Sequence, residues 1–255
     1  MSHYPITIDH ETVQIGTAAE LAVALDVLQG QYDRVVLTQL QPHLSRIISQ
    51  ANQLFIVMKS LSADDQIYLI QALKGHLAGI MQHDSHLRDL LATLAEEKVE
   101  SAVLQTLGSD GLRALILTAE ELAEVLEWVY GQTDALALDL LGLEYVRNLS
   151  RNASGLSAIL HSLDEAQQAK LIDQLGWEFC LGLVQDGHDL AYLLRALPAA
   201  VSEQLLKHYH PEELARLIGN SRDWTYLYQR LEPAEADFIT HLLGLKSNRR
   251  NSHAA

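Results

Sequence analysis

Apolar residues fall along this chain in short blocks with the i, i+3, i+4 spacing of amphipathic helices, and the blocks recur. The octet LAVALDVL from Leu21 returns as LFIVMKSL from Leu54, LRDLLATL from Leu87 and LAEVLEWV from Leu122. It returns again as LSAILHSL from Leu156, LAYLLRAL from Leu190 and WTYLYQRL from Trp224. Successive starts lie 33, 33, 35, 34, 34 and 34 residues apart. A second column keeps the same period through Leu44, Leu77, Leu112, Val146, Cys180 and Leu214. Ile47, Ile80, Leu115, Leu149, Leu183 and Leu217 follow them three positions on. A third column runs through Leu40, Leu73, Leu107, Leu141, Leu175, Tyr209 and Leu243, and Gly108, Gly142, Gly176 and Gly244 follow four of its members. Three columns in one register are a repeat and set the whole architecture.

One period of about 34 residues predicts two or three short helices. Glycine after the third-column residue supplies the positive φ that ends a helix. Pro42 and Pro211 stand where the first turn of the next helix accepts proline. Thr118–Glu121 matches a capping box ahead of the octet helix, and Asn52, Asp84, Ser154 and Ser221 occupy similar places. Ser62–Asp65 and Asp164–Gln167 open the helix that carries the third column. No single period buries its own apolar face, so stacked neighbours must supply the core. The chain parses as an N-terminal half-unit, six units (29–61, 62–94, 95–129, 130–163, 164–197 and 198–231) and a C-terminal half-unit to about 245. Residues 1–16 lie outside the pattern. Tyr4, Ile6 and Ile8 alternate, as do Val13 and Ile15, which predicts a small hairpin or an extended cap. Residues 17–245 then form the helical repeat domain, and 246–255 a disordered tail.

Composition narrows the function. Thirty-three acids against eighteen bases give a formal charge of −15, which repels phosphate backbones and favours basic partners. The one basic cluster, Lys246, Arg249 and Arg250, sits in the polar tail. A lone cysteine excludes an internal disulfide. The N-terminus lacks the basic start and apolar core of a signal peptide, and no apolar run approaches the roughly 20 residues of a membrane helix. These features predict a soluble cytoplasmic protein with no nucleic-acid or membrane partner.

Candidate chemistry yields to the repeat. Cys180 fills a column otherwise held by leucine and valine, so it reads as a small buried hydrophobe. Trp128 and Trp224 fall in recurring apolar columns and read as core or inter-unit packing. His83–His86 and His208–His210 lack the further convergent ligands zinc requires, and no metal or other cofactor is expected. Glu96–Glu97, Glu120–Glu121 and Glu212–Glu213 lie near helix starts, where carboxylates complement the macrodipole. Phosphate-cradling glycine loops and a nucleophile elbow are both absent from the sequence.

The polar positions that vary while the columns hold are the five-residue linkers before each octet: SQANQ, QHDSH, LTAEE, RNASG, QDGHD and GNSRD. In a stacked array they would align as one ridge. His83, Arg151, Asn152, Asp186, His188, Asn220 and Arg222 are the candidate binding residues on it.

In its LG, LI and LL blocks and its period, the chain resembles α-solenoid repeat proteins of the tetratricopeptide, HEAT, armadillo and Pumilio kinds. It is also loosely similar to leucine-rich helical repeats in effectors of bacterial pathogens. The resemblance implies an all-α fold, a right-handed α-solenoid of about six 34-residue helical repeats with half-repeat caps. The repeat then predicts a non-catalytic scaffold or adaptor, and the acidic charge a basic or amphipathic protein or peptide as its partner; an effector would be delivered into a host cell. The alternative expectation is a helical enzyme or enzyme regulator with a His/Asp site on the linker ridge.

Overall fold

A computed structural model describes residues 3–219, 225 and 233–243. They are mostly helical, with one two-stranded sheet. The elements run β1 (Tyr4–Ile8), β2 (Glu11–Ile15), α1 (Ala18–Leu28), α2 (Asp33–Leu40), a 3-10 turn at Gln41–His43, α3 (Leu44–Ile47), α4 (Ala51–Met58), α5 (Ala63–Ala72), α6 (Leu77–Met81) and α7 (Asp84–Leu91). There follow α8 (Glu97–Leu115), α9 (Ala119–Leu126), α10 (Thr133–Leu141), α11 (Leu143–Leu149), α12 (Ala153–His161) and α13 (Glu165–Leu175). The last are α14 (Trp177–Gly182), α15 (Gly187–Ala196), α16 (Ala199–Lys207), α17 (Pro211–Leu217) and α18 (Pro233–Leu242). The helices carrying the octets start at residues 18, 51, 84, 119, 153 and 187, in step with the sequence period. The arrangement is compatible with a helical repeat fold.

The columns are the core. Every octet leucine from Leu21 to Leu190 is buried, as is every described member of the second column. In the third column Leu40 to Tyr209 are buried and Leu243 is half-buried. Full burial of one leucine side chain contributes about 1.5–3 kcal/mol, so these positions dominate the apolar driving force. Gly142 and Gly176 end α10 and α13 at φ 78° and 81°. At Gly108, φ 64° breaks α8 into two helical stretches. A side chain at these positions would be strained, which is why the third column so often ends in glycine. Gly244 lies outside the described residues.

Cap chemistry follows the expected rule, with shifts of one or two residues. The hydroxyl of Thr118 accepts from the Glu121 backbone N–H, and the Glu121 carboxylate accepts from the N–H of Thr118. Ser62 and Asp164 cap α5 and α13. Asn152, rather than Ser154, caps α12, whereas Gln50, rather than Asn52, stands at the N-cap of α4 and makes no side-chain cap bond. Ser221 lies outside the described residues. Trp128 is a correction to the sequence reading: it is 39% exposed. It holds the seventh position of its octet, where other units carry Val27, Ser60, Thr93 and Ser162, a place that faces outward in α1 as well, whereas the next residue, Val129, is buried.

The chain divides into two compact units: Met1–Leu117 with Glu124–Gly142, and Thr118–Ala123 with Leu143–Ala255. In the first, α1 packs on α4 and α4 on α7, while α2 packs on α5, α5 on α8 and α8 on α10. In the second, α12 packs on α15 and α16 on α18. Helices of like register therefore lie against one another. The residue after the octet leucine on one helix meets the second residue after it on the next. In the first unit, Arg88 of α7 forms an ion pair with Glu124 of α9. In the second, the Ser157 hydroxyl of α12 donates to the Tyr192 carbonyl of α15 at 2.9 Å. At Gly155, ahead of the octet leucine of α12, the backbone lies close to α9: a Cβ built there would lie 3.1 Å from the Ala119 Cβ.

The N-terminal residues form a hairpin, Tyr4 pairing with Ile15 and Ile8 with Glu11. Asp9 and His10 both take positive φ, as a two-residue type I′ turn requires. Gln39 of α2 binds β1 like a further strand: its carbonyl accepts from the Thr7 N–H at 2.9 Å and its amide donates to the Thr7 carbonyl at 3.0 Å. Tyr4 stacks on His43 with ring centroids 3.9 Å apart. Ile6 and Ile15 are buried beneath.

Candidate binding surfaces

The linker residues singled out by the sequence turn out to be helix starts. Each of the five linkers within the described residues holds an N-cap and the first turn of the next helix, and at Asn152 and Asp186 the side chain satisfies backbone N–H groups that a helix leaves open there. The Asn152 carbonyl accepts from the Gly155 N–H at 2.7 Å. The Asp186 carboxylate accepts from the N–H groups of His188 and Asp189 at 2.8 and 3.0 Å. Asn152 and Asp186 therefore hold α12 and α15 in place, whatever else they contact. Arg151, one residue ahead of its cap, donates to the Asn148 carbonyl at 2.9 Å, and His188 lies in the first turn of α15. His83 is the N-cap residue of α7 without a side-chain cap bond, and its ring lies 5.5 Å from that of His86. His83 belongs to the first unit, and Arg151, Asn152, Asp186 and His188 to the second. Asn220 and Arg222 lie outside the described residues.

Cys180 is buried in its column, and burial pushes its thiol up to about 11. A thiol held protonated in an apolar setting is a poor nucleophile. Among the described residues no group of three or more His, Cys, Asp and Glu side chains gathers as a metal ion needs. A shallow depression between α5 and α8 carries Glu97 and Lys98, but both are engaged. Lys98 binds Asp64 and Glu96 at 2.8 and 3.2 Å, and Glu97 accepts from the Gln132 N–H at 2.7 Å.

The structure adds a polar column that the apolar reading passed over. Seven residues before the third-column positions from Leu40 to Tyr209 stand Asp33, Gln66, Glu100, Asp134, Gln168 and Ser202, and before Leu243 stands Ala236. Several tie the start of their helix to the end of the octet helix before it. The Gln66 amide donates to the Met58 carbonyl at 2.8 Å, and the Gln168 amide to the carbonyls of Leu160 and Leu163 at 2.8 and 3.0 Å. The Ser202 hydroxyl donates to the Leu194 carbonyl at 3.2 Å. Glu100 instead accepts from the Tyr130 N–H at 3.1 Å, and burial raises its carboxyl above the usual range, with the Glu97 charge adding to the effect. Burial, then the charge of Asp65, raises that of Asp33. The period itself was the signal for this column, because polar residues recur in it in six successive units. These are fold-bearing bonds; raised carboxyls here come from burial and not from a paired catalytic site.

An open apolar surface lies at the N-terminal hairpin. A groove of about 530 Å³ runs between it and α1, walled by Ile6, Ile8 and Val13 on one side and Val23, Val27 and Leu28 on the other. Val13, Val23 and Val27 are 48, 62 and 75% exposed. Such contiguous exposed apolar surface marks an interaction site more often than singly scattered residues do. Sequence reasoning missed it because the first octet was read only for its column. The signal was Ala19, Val23 and Val27 at i, i+4 spacing on the opposite face.

No family model, no curated protein and no solved structure matches this chain. Among the described residues no helix is long and apolar enough to cross a membrane.

Proposed function

We propose that the protein is a non-catalytic interaction scaffold: an α-solenoid of about six 34-residue units, capped by half-units, that binds a protein or peptide on its stacked helices. The repeated pairing of like helices carries this reading. Arg88 with Glu124 and Ser157 with Tyr192 join equivalent positions on neighbouring octet helices. Stacking of that kind multiplies one surface position at regular intervals, and a partner reads the series. The acidic balance, −15 overall, suits a basic partner in the cytoplasm. The chemistry is recognition alone, since the buried thiol of Cys180 and the separately engaged carboxylates offer no reacting centre.

The test is affinity capture with the full chain, wild type against a His83→Ala/Arg151→Ala/His188→Ala variant. That variant keeps Asn152 and Asp186, whose side chains cap helices. A captured protein that binds the wild type again in purified form, and is lost with the variant, supports the linker surface. Equal binding to both moves the site off the linkers. A chain that rebinds no purified protein overturns the scaffold reading.

A further inference from the structure

We propose that the groove between the hairpin and α1 receives one amphipathic α-helix of a partner protein, apolar on its inner face and basic along its flanks. The proposal rests on the scaffold reading and names the partner class for one surface of it.

The shape of the occupant follows from register. On α12 the residue before the octet leucine is Gly155, and those two, three, six and seven after it are Ala158, Ile159, Ser162 and Leu163. Gly155 lies against the preceding octet helix α9 at Ala119. On α15, Tyr192 holds the corresponding position, and its carbonyl accepts from Ser157 of the preceding helix. This face of an octet helix is therefore the one on which the preceding octet helix stacks. On α1 the same positions are Glu20, Val23, Ala24, Val27 and Leu28, all of which line the groove. The opposite stripe of α1, with Ala18 and Ala22, is buried, and α1 packs on α4. The groove is thus a helix-stacking face with the hairpin as a side wall. Three turns of a docked helix match the length of α1, whose 11 residues span about 16 Å at the usual rise.

Charge sets the chemistry of the flanks. Residues 1–32 carry four acids, Asp9, Glu11, Glu20 and Asp26, all exposed, and no lysine or arginine. An apolar floor in a purely acidic neighbourhood attracts a helix with leucine-like residues at i, i+3 and i+4 and basic residues beside them. A second copy of this chain would bring the same acids into contact, and like charges brought together at an interface are unfavourable.

The test uses the full chain and a fluorescent synthetic peptide of about 15 residues, with leucine at helical spacing and lysine between. A control peptide has glutamate for every lysine. Val23→Gln/Val27→Gln replaces two exposed side chains by residues that suit a helix and add no charge, so folding is retained. Circular dichroism and thermal melts confirm that. Anisotropy is expected to show the lysine peptide binding the wild type, weakening about tenfold or more with the double variant, and falling as salt rises. The glutamate peptide is expected not to bind. Equal affinity for wild type and variant overturns the proposal and reduces the effect to general attraction to an acidic protein. Binding of the glutamate peptide overturns the charge assignment. A concentration-dependent dimer that the double variant abolishes, seen by light scattering, would assign the groove to a second copy instead. Loss of groove binding alongside linker-dependent capture leaves the scaffold reading standing.

Discussion

The outer faces of α1 and α12 occupy the same register of the repeat, and they differ. On α12 the face is covered: Gly155, Ile159 and Leu163 are buried, and the glycine lets Ala119 approach closely. On α1 it is open, Glu20 stands where α12 has glycine, and valines stand where α12 has Ala158 and Ser162. Small residues mark a face shaped for a permanent neighbour, because helix axes approach only as closely as their side chains allow. Branched apolar residues left exposed mark a face whose neighbour comes from elsewhere. One period thus builds two kinds of surface, and the side-chain volume at a few positions distinguishes them.

That contrast can be broken most directly by enlarging both faces. Gly155→Leu forces a side chain into the contact with Ala119 and is expected to lower stability by about 3 kcal/mol, as overpacking does. Val27→Leu on α1 meets open space and is expected to change stability by less than about 0.5 kcal/mol. Urea unfolding of both variants measures the difference, and equal losses would mean that the α1 face is packed in solution.

The tie between consecutive helices gives the next effect. Gln168→Leu removes the amide that satisfies the carbonyls of Leu160 and Leu163, and is expected to cost about 2 kcal/mol. Asp186→Ala removes the cap of α15 and is expected to cost about 1 kcal/mol. If Asp186 served only a ligand, its replacement would leave the urea midpoint in place.

The smallest effect shows as a slope. Because burial raises the Glu100 carboxyl, the folded chain holds that proton more tightly than the unfolded chain. Its contribution to stability is therefore full below the ordinary carboxylate range and declines as pH rises through the raised value. Glu100→Gln keeps an acceptor for the Tyr130 N–H and removes the ionisation. Melts from pH 4 to 8 should show the variant gaining on the wild type as pH increases, and a constant difference would show that Glu100 titrates normally.

Much of the architecture was legible in order. The leucine columns give helices and core because a 33–35-residue period of i, i+3, i+4 blocks has one low-energy reading, stacked amphipathic helices. Glycine after Leu141 and Leu175 needed no structure to be read as a helix stop, since φ near +80° is open to it and costly to others. The linker polars were legible as exposed. That Asn152 and Asp186 also cap helices became visible only with the backbone N–H groups they satisfy. Trp128 is a failure of the column reading, because its octet position holds Ser60, Thr93 and Ser162 in other units and faces outward.

By itself, then, the sequence determined the helices, their period, the core columns and the acidic character, because each follows from local spacing and composition. Tertiary structure alone decided which faces stay open. Val23 and Val27 are as apolar as many core residues, and their exposure depends on whether another helix lies on them, which no local pattern encodes. It likewise decided that Gln66, Gln168 and Ser202 turn inward, since the carbonyls that end the preceding helix arrive there to meet their side chains.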